Sequence, residues 1–156
     1  MKLTLIIVSV IVIAIVLLFF FKAIASKSEQ ALGLNDNGQL FLCPKKHNCV
    51  CSEETPQSPY FIEPISFLES EKSNTLTLLK NSIVELGGKL VVEKEGYLAY
   101  EFTSSIFRFI DDLEVRVEQG ENVIHIRSAS RVGESDFGVN LKRVNDIKKR
   151  LQEKQN

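Results

Sequence analysis

Residues 113–128 read LEVRVEQGENVIHIRS. Leu113, Val115 and Val117 alternate with Glu114, Arg116 and Glu118. A period of two puts the apolar set on one face of a strand and the charged set on the other. Gln119-Gly120-Glu121-Asn122 is turn chemistry, after which Ile124, Ile126 and Ser128 alternate with His125 and Arg127. The stretch therefore predicts a hairpin with one face for a core and one face rich in charge.

The same period extends upstream. Leu98, Tyr100 and Phe102 alternate with small or polar neighbours, and Leu90-Val91-Val92 predicts a shorter strand before a turn at Glu95-Gly96. Further back the spacing changes: Leu76, Leu79, Ile83 and Leu86 fall on one face of a helix, with Ser73 as the expected N-cap and Gly87-Gly88 as the stop. Downstream of Gly138, Val144, Ile147 and Leu151 mark a last amphipathic helix. The fold class is α+β, an antiparallel sheet covered on one face by two amphipathic helices. Ser26 to Pro64, by contrast, is rich in Gly, Pro, Asn and Asp and has little periodicity. It is expected as a linker over residues 26–39, followed by a single domain over 40–156. That domain opens with an irregular cysteine-containing loop, held down by the cysteines and by Tyr60-Phe61-Ile62.

The chain of 156 residues has a net charge of −1 and 44% hydrophobic residues, but these averages conceal a division. Leu3 to Phe21 is an apolar run broken only by Thr4 and Ser9. At about 1.5 Å per residue it can cross a hydrocarbon core of about 30 Å. Residues 1–25 are read as a transmembrane anchor. Ala23-Ile24-Ala25 offers a small-x-small cleavage pattern, the mark of a removable signal peptide. The run is longer than a signal's apolar core of about 7–15 residues, and Lys22 stands between it and the cut, which favours an uncleaved signal-anchor. All 20 Asp and Glu lie beyond residue 25, against 17 Lys and Arg once Lys2 and Lys22 are set aside, a net charge of −3. That balance excludes a strongly basic nucleic-acid binder, and the length excludes a large multidomain enzyme.

Two clusters carry reactive groups. In CPKKHNCVC, residues 43–51, all three cysteines fall together with His47. A disulfide, most simply Cys43–Cys49, fits a loop that needs fastening in an oxidising compartment. A metal site using His47, or a thiol nucleophile paired with His47 or His125, are the other readings, although C-x5-C-x-C departs from the usual zinc-knuckle spacing. The second cluster, RSASRVGESDFGVNLKR over 127–143, combines a strand end, a glycine-punctuated turn and a helix start. Its candidate ligand-binding residues are Arg127, Ser128, Ser130, Arg131, Asp136, Asn140 and Arg143, because guanidinium forks and turn N–H groups suit an anion. The alternative is that these arginines pair with Asp111, Asp112 and Asp136 while Ser135 or Asp136 caps the helix. Asp111-Asp112 is a candidate acidic pair, although neighbours on a strand point to opposite faces and are poorly placed to share a proton. The basic stretch Lys142 to Lys154 reads as a solvated helix face, with anionic lipid headgroups as a weaker alternative. The chain has no P-loop, dinucleotide fingerprint, HExxH or GxSxG motif, and neither a cofactor nor a resident metal is expected.

CPKKHNCVCS, FIDDLEV and RSASRVGESDFGVNLKRV together resemble the bacterial and plastid family called domain of unknown function 1499, over roughly residues 40–152. The resemblance marks Cys43, Pro44, Asn48, Cys49, Asp111, Asp112, Arg127, Ser128, Ser130, Arg131, Gly133, Ser135, Asp136, Gly138, Asn140 and Arg143 as characteristic positions. His47 stands where the family pattern has proline and Cys51 where it has serine, so neither would be a family metal ligand. The family brings no established activity. The expectation is a membrane-anchored, non-enzymatic module with a periplasmic or otherwise extracytoplasmic domain, binding an anionic ligand or protein partner through the Arg/Ser-rich turn. The alternative is a small hydrolase or thiol-dependent enzyme built on Asp111, Asp112 or the cysteines.

Overall fold

The alternation of residues 113–128 is a hairpin in the computed structural model, which describes residues 2–118 and 120–155. Gln119 of the expected turn, with Met1 and Asn156, lies outside the described residues. In chain order the elements are α1 (Lys2–Ser28), β1 (Cys49–Cys51), β2 (Ile65–Ser66), α2 (Lys72–Glu85), β3 (Lys89–Lys94), β4 (Tyr97–Thr103), β5 (Ile110–Glu118), β6 (Val123–Ser130) and α3 (Val139–Gln155). Strands β3 to β6 form an antiparallel meander, and the sheet runs β1-β6-β5-β4-β3. The short strands share the free edge of β6: β1 pairs with Arg127–Ala129, and β2 with Val123 and Ile124.

The register explains the core. Leu113 lies opposite Ser128, Val115 opposite Ile126 and Val117 opposite Ile124, so the apolar set of each strand reaches the same face. There Leu98, Tyr100, Leu113, Val115, Ile124 and Ile126 meet Leu79 and Ile83 of α2 and Val144, Ile147 and Leu151 of α3. Burying each such aliphatic side chain contributes about 1.5–3 kcal/mol. Helix α2 starts two residues earlier than the capping pattern predicts. Its N-cap position is Glu71, which makes no side-chain cap bond, and Ser73 is already inside the first turn. At the other end the Gly88 N–H donates to Ile83 O and the Gly87 N–H to Val84 O, with Gly87 at φ +93°. Those two bonds form a Schellman close, which needs a residue that tolerates positive φ.

The charged face of the sheet is covered as well, which the strand pattern alone did not anticipate. Residues 29–43 lie across it as a strap. Leu40 packs with Cys51, Tyr97 and Ala99 in a second small core. The Gly33 N–H donates to Glu114 Oε1 at 2.8 Å, so the stretch expected as a linker makes direct contact with β5. The cysteine loop is tied down through Tyr60-Phe61-Ile62 as expected: the Cys51 N–H donates to Tyr60 O, the Ile62 N–H donates to Cys51 O, and Ile62 enters the main core.

Among the described residues α1 is the one helix long and apolar enough to cross a membrane, and its most apolar stretch is not buried by the rest of the chain. Its C-terminal turn is fixed to the domain. Ser26 is buried, its Oγ accepting the Ile110 N–H at 2.7 Å, while Arg131 Nη1 donates to Ser26 O at 3.1 Å.

Candidate functional site

Alternation along β6 divides the Arg/Ser cluster between the two faces of the sheet. On the helix side, Ser128 Oγ donates to Asn140 Oδ1 at 2.6 Å, and Arg143 Nη1 donates to Ser128 Oγ at 3.0 Å. Asn140 Nδ2 faces Asp136 Oδ2 at 2.7 Å, Asn48 O at 3.0 Å and Ser130 Oγ at 3.1 Å. Arg143 Nη2 donates to Asp111 Oδ2 at 2.6 Å, and the guanidinium lies 4.4 Å above the centre of the Phe102 ring. Asp136 caps α3, accepting the N–H of Gly138 at 2.9 Å and of Asn140 at 2.7 Å. Its partners are these donors rather than an arginine. The two motifs of the sequence are thereby joined, since Asn48 Nδ2 also donates to Gly133 O at 2.8 Å and the Ser130 N–H to Asn48 O.

On the strap side stand Arg127, Arg131 and Asp112. Glu114 is wholly buried, at 0% exposure, and takes three donors: Arg127 Nη1 on Oε2 at 2.8 Å, with the Tyr97 hydroxyl at 2.7 Å and the Gly33 N–H at 2.8 Å on Oε1. Burial, together with the Glu114 charge, pushes the Tyr97 phenol well above its ordinary range, so it remains a donor. Arg131 is fully committed. Nε and Nη2 grip Asp112 at 2.8 and 2.7 Å, and Nη2 also reaches Glu101 Oε1 at 2.7 Å. The Asp112 hydrogen bond, against the cost of burial, raises the Arg131 pKa further. Arg127 differs. It is 4% exposed, yet Glu114 is its single hydrogen-bond partner, and its buried Nε–H has none among the described residues.

Arg127, Arg131, Asp112 and Ser130 line a cleft of about 310 Å³ beneath the strap. Leu32, Phe41 and Leu42 supply its apolar lining, and Glu29 and Gln30, the first residues past α1, complete it. Arg143, Asn140, Ser128, Asp136 and Asp111 are not brought to this cleft. Asp111 and Asp112 point to opposite faces, each held by its own arginine, so they share no proton. A third charged set sits farther along the same face, where Arg116 binds Glu53 and Glu118. There His125 Nδ1 lies 3.2 Å from Ser52 Oγ, and burial lowers the His125 pKa.

The cysteines resolve into a Cys43–Cys49 disulfide and a buried free Cys51. Burial pushes the Cys51 thiol up to about 11, far from the range of a nucleophile at neutral pH. With two of the three sulfurs joined, the loop offers no thiolate set for a metal. Among the described residues no group of three or more His, Cys, Asp or Glu is arranged to hold one.

The family described as Protein of unknown function (DUF1499) matches residues 39–151. The chain belongs to that family. No curated protein and no solved structure matches it. The family region contains the cysteine loop, the whole sheet, α2 and most of α3, and hence Arg127, Arg131 and the Phe41-Leu42 lining. Helix α1 and the cleft residues Glu29, Gln30 and Leu32 lie before it. Sequence reasoning missed Glu114 and Glu101, which it read only as the polar half of an alternation, and Glu53, which it left inside the irregular loop. The signal for Glu114 was present, because a hairpin in this register sets it directly opposite Arg127. Gly33 and Ser26 carried no such signal, since their partners are 81 and 84 residues away.

Proposed function

We propose that this DUF1499 chain is a single-pass, membrane-anchored binding module that holds an anionic ligand in the cleft over Arg127. The observation that carries the reading is the buried Arg127 guanidinium, which lines an open cleft with one hydrogen-bond partner among the described residues. A buried cation with free donors favours a carboxylate or phosphate group. The Leu32, Phe41 and Leu42 lining suits an apolar portion on the same ligand. Arg131, gripped by Asp112 and Glu101, shapes the floor rather than supplying unpaired charge. The Cys43–Cys49 disulfide supports a domain outside the cytoplasm, as on the periplasmic side of a bacterial inner membrane, because cytosolic thiols are kept reduced. A small hydrolase or thiol-dependent enzyme has less behind it, because Asp111 and Asp112 are each tied to an arginine and the free thiol is buried.

Thermal unfolding of the full chain in phosphatidylcholine nanodiscs tests the reading, with inorganic phosphate and phenyl phosphate as probes. A ligand at 100 times its Kd stabilises by about 2.7 kcal/mol. Phenyl phosphate is expected to raise the midpoint more than phosphate does. The shift should vanish in Arg127→Lys, whose compact ammonium cannot reproduce the fork, and persist in Arg143→Lys. No shift in the unaltered chain, or an equal shift in Arg127→Lys, rejects the site.

A further inference from the structure

We propose that the β4–β5 loop, residues 104–109, is a second membrane contact that enters the bilayer beside α1; the inference rests on the membrane anchoring proposed above. The loop reads SSIFRF. Its base is pinned to the last turns of α1 by the Ser26–Ile110 hydrogen bonds. Seven residues earlier along that helix, about 10 Å at 1.5 Å per residue, Phe19 stacks on Phe107. The ring centres are 4.4 Å apart and the planes 19° from parallel. Phe109 completes the group, 5.6 Å from Phe107 and 6.2 Å from Phe19. Phe19 belongs to the apolar run that ends at Phe21. A loop in ring contact with that run lies at the same level along the helix and meets the same solvent.

The rest of the loop agrees with this placement. Ile106 is 80% exposed and Phe107 remains 44% exposed despite its stacking, so apolar surface faces outward beyond α1. In water that surface is unfavourable in proportion to its area, and in acyl chains the cost disappears. Phe19 lies two residues, about 3 Å, inside the end of the run. That is the headgroup–acyl boundary, where amphipathic surfaces settle and irregular backbone still reaches water. The loop closes its own base: the Ser104 N–H donates to Phe109 O at 2.8 Å, and the Phe109 N–H to Ser104 Oγ at 2.9 Å. Arg108, turned by a φ of +60°, stands between two phenylalanines, where a long side chain lays its stem on apolar surface and extends its charge to lipid phosphates.

The chain has no tryptophan, so one introduced residue reports on one place. Three variants of the full chain, Ile106→Trp, Val12→Trp and Leu68→Trp, are reconstituted in phosphatidylcholine vesicles, without bromine and with lipids brominated near the headgroup end and near the methyl end of the acyl chains. Leu68, 65% exposed, is the aqueous reference, since it follows the Phe67 that bonds Asn122 at the opposite end of the sheet. Loss of most Ile106→Trp fluorescence to brominated lipid, with blue-shifted emission and Leu68→Trp unaffected, is the expected result. Quenching of Val12→Trp without Ile106→Trp rejects the loop contact and leaves the anchor standing. Failure of both rejects the anchor and with it this inference. Blue-shifted Ile106→Trp emission that brominated lipid does not quench means that protein covers the loop, and also overturns the proposal.

Discussion

Two clusters of buried arginine occupy opposite faces of one sheet and are finished to different degrees. Under α3, Arg143 meets Asp111, Ser128, Asn140 and the Phe102 ring, and Asn140 in turn binds three neighbouring oxygens. Arg143 and Phe102 also border a shallow opening of about 210 Å³, but both terminal nitrogens of that guanidinium are already held by protein oxygens. Under the strap, the Arg127 guanidinium meets Glu114 alone among the described residues and borders open volume. Both sets come from one motif, a strand apart at most, so the difference arises from what each face packs against. A helix laid along a sheet brings side chains that can be matched one for one. A strap of irregular chain touches at Gly33 and Leu40 and spans a gap.

Several substitutions break or sharpen that contrast. The largest effect is expected from Glu114→Ala, which strands the buried Arg127 charge and frees the strap at Tyr97 and Gly33. Breaking a buried pair from one side costs about 3–5 kcal/mol, readable as a fall in the denaturation midpoint. Asn140→Ala comes next. The Asn48 carbonyl, Ser128 and Arg143 each lose one partner and keep another, so the expected cost is about 1–3 kcal/mol in all, and the phenyl phosphate response should stay intact. An Asn140→Ala chain that is folded but blind to ligand would show that the two faces are coupled.

Removing the disulfide with Cys43→Ala and Cys49→Ala should cost about 2 kcal/mol for so short a loop. Because Cys43 and Pro44 line the cleft, the same change should also weaken the ligand response. Alkylation under denaturing conditions checks the pairing, with one thiol reactive before reduction and three after it.

The smallest effect is electrostatic. Burial lowers the pKa of His125 from its ordinary 6.5, so the unfolded chain takes up a proton first as pH falls. Its contribution to stability is complete above about 6.5 and declines at lower pH. His125→Gln should flatten the stability–pH curve in that window, and an unchanged slope would assign the acid sensitivity elsewhere.

The fold was legible wherever periodicity was local. The hairpin, both amphipathic helices and the Gly87-Gly88 stop follow from spacing, because neighbours in sequence are neighbours on one face. Helix α2 departs at its start, where Glu71 takes the capping position without making a cap bond. The site was half legible. Arg127 and Arg131 were visible as charges at a strand end, but their separation from Arg143 depends on parity along β6 and on what covers each face. The strap was illegible because Gly33 and Leu40 are held by β5, β4 and Cys51, partners that nothing in their own neighbourhood encodes.

Ser26 carries a consequence for the order of events in the life of the chain. Ala23 opens the small-x-small stretch Ala23-Ile24-Ala25 and Ser26 follows it, and both are buried against the domain. A protease needs that segment extended and accessible, whereas the folded chain holds it helical, with Arg131 on the Ser26 carbonyl. For a chain presented to such a protease, cleavage and folding would compete. On the anchoring proposed above, closure of the β5 hydrogen bonds on Ser26 would make the anchor permanent, and an intact mass that retains Met1 rather than starting at Ser26 would record that folding came first.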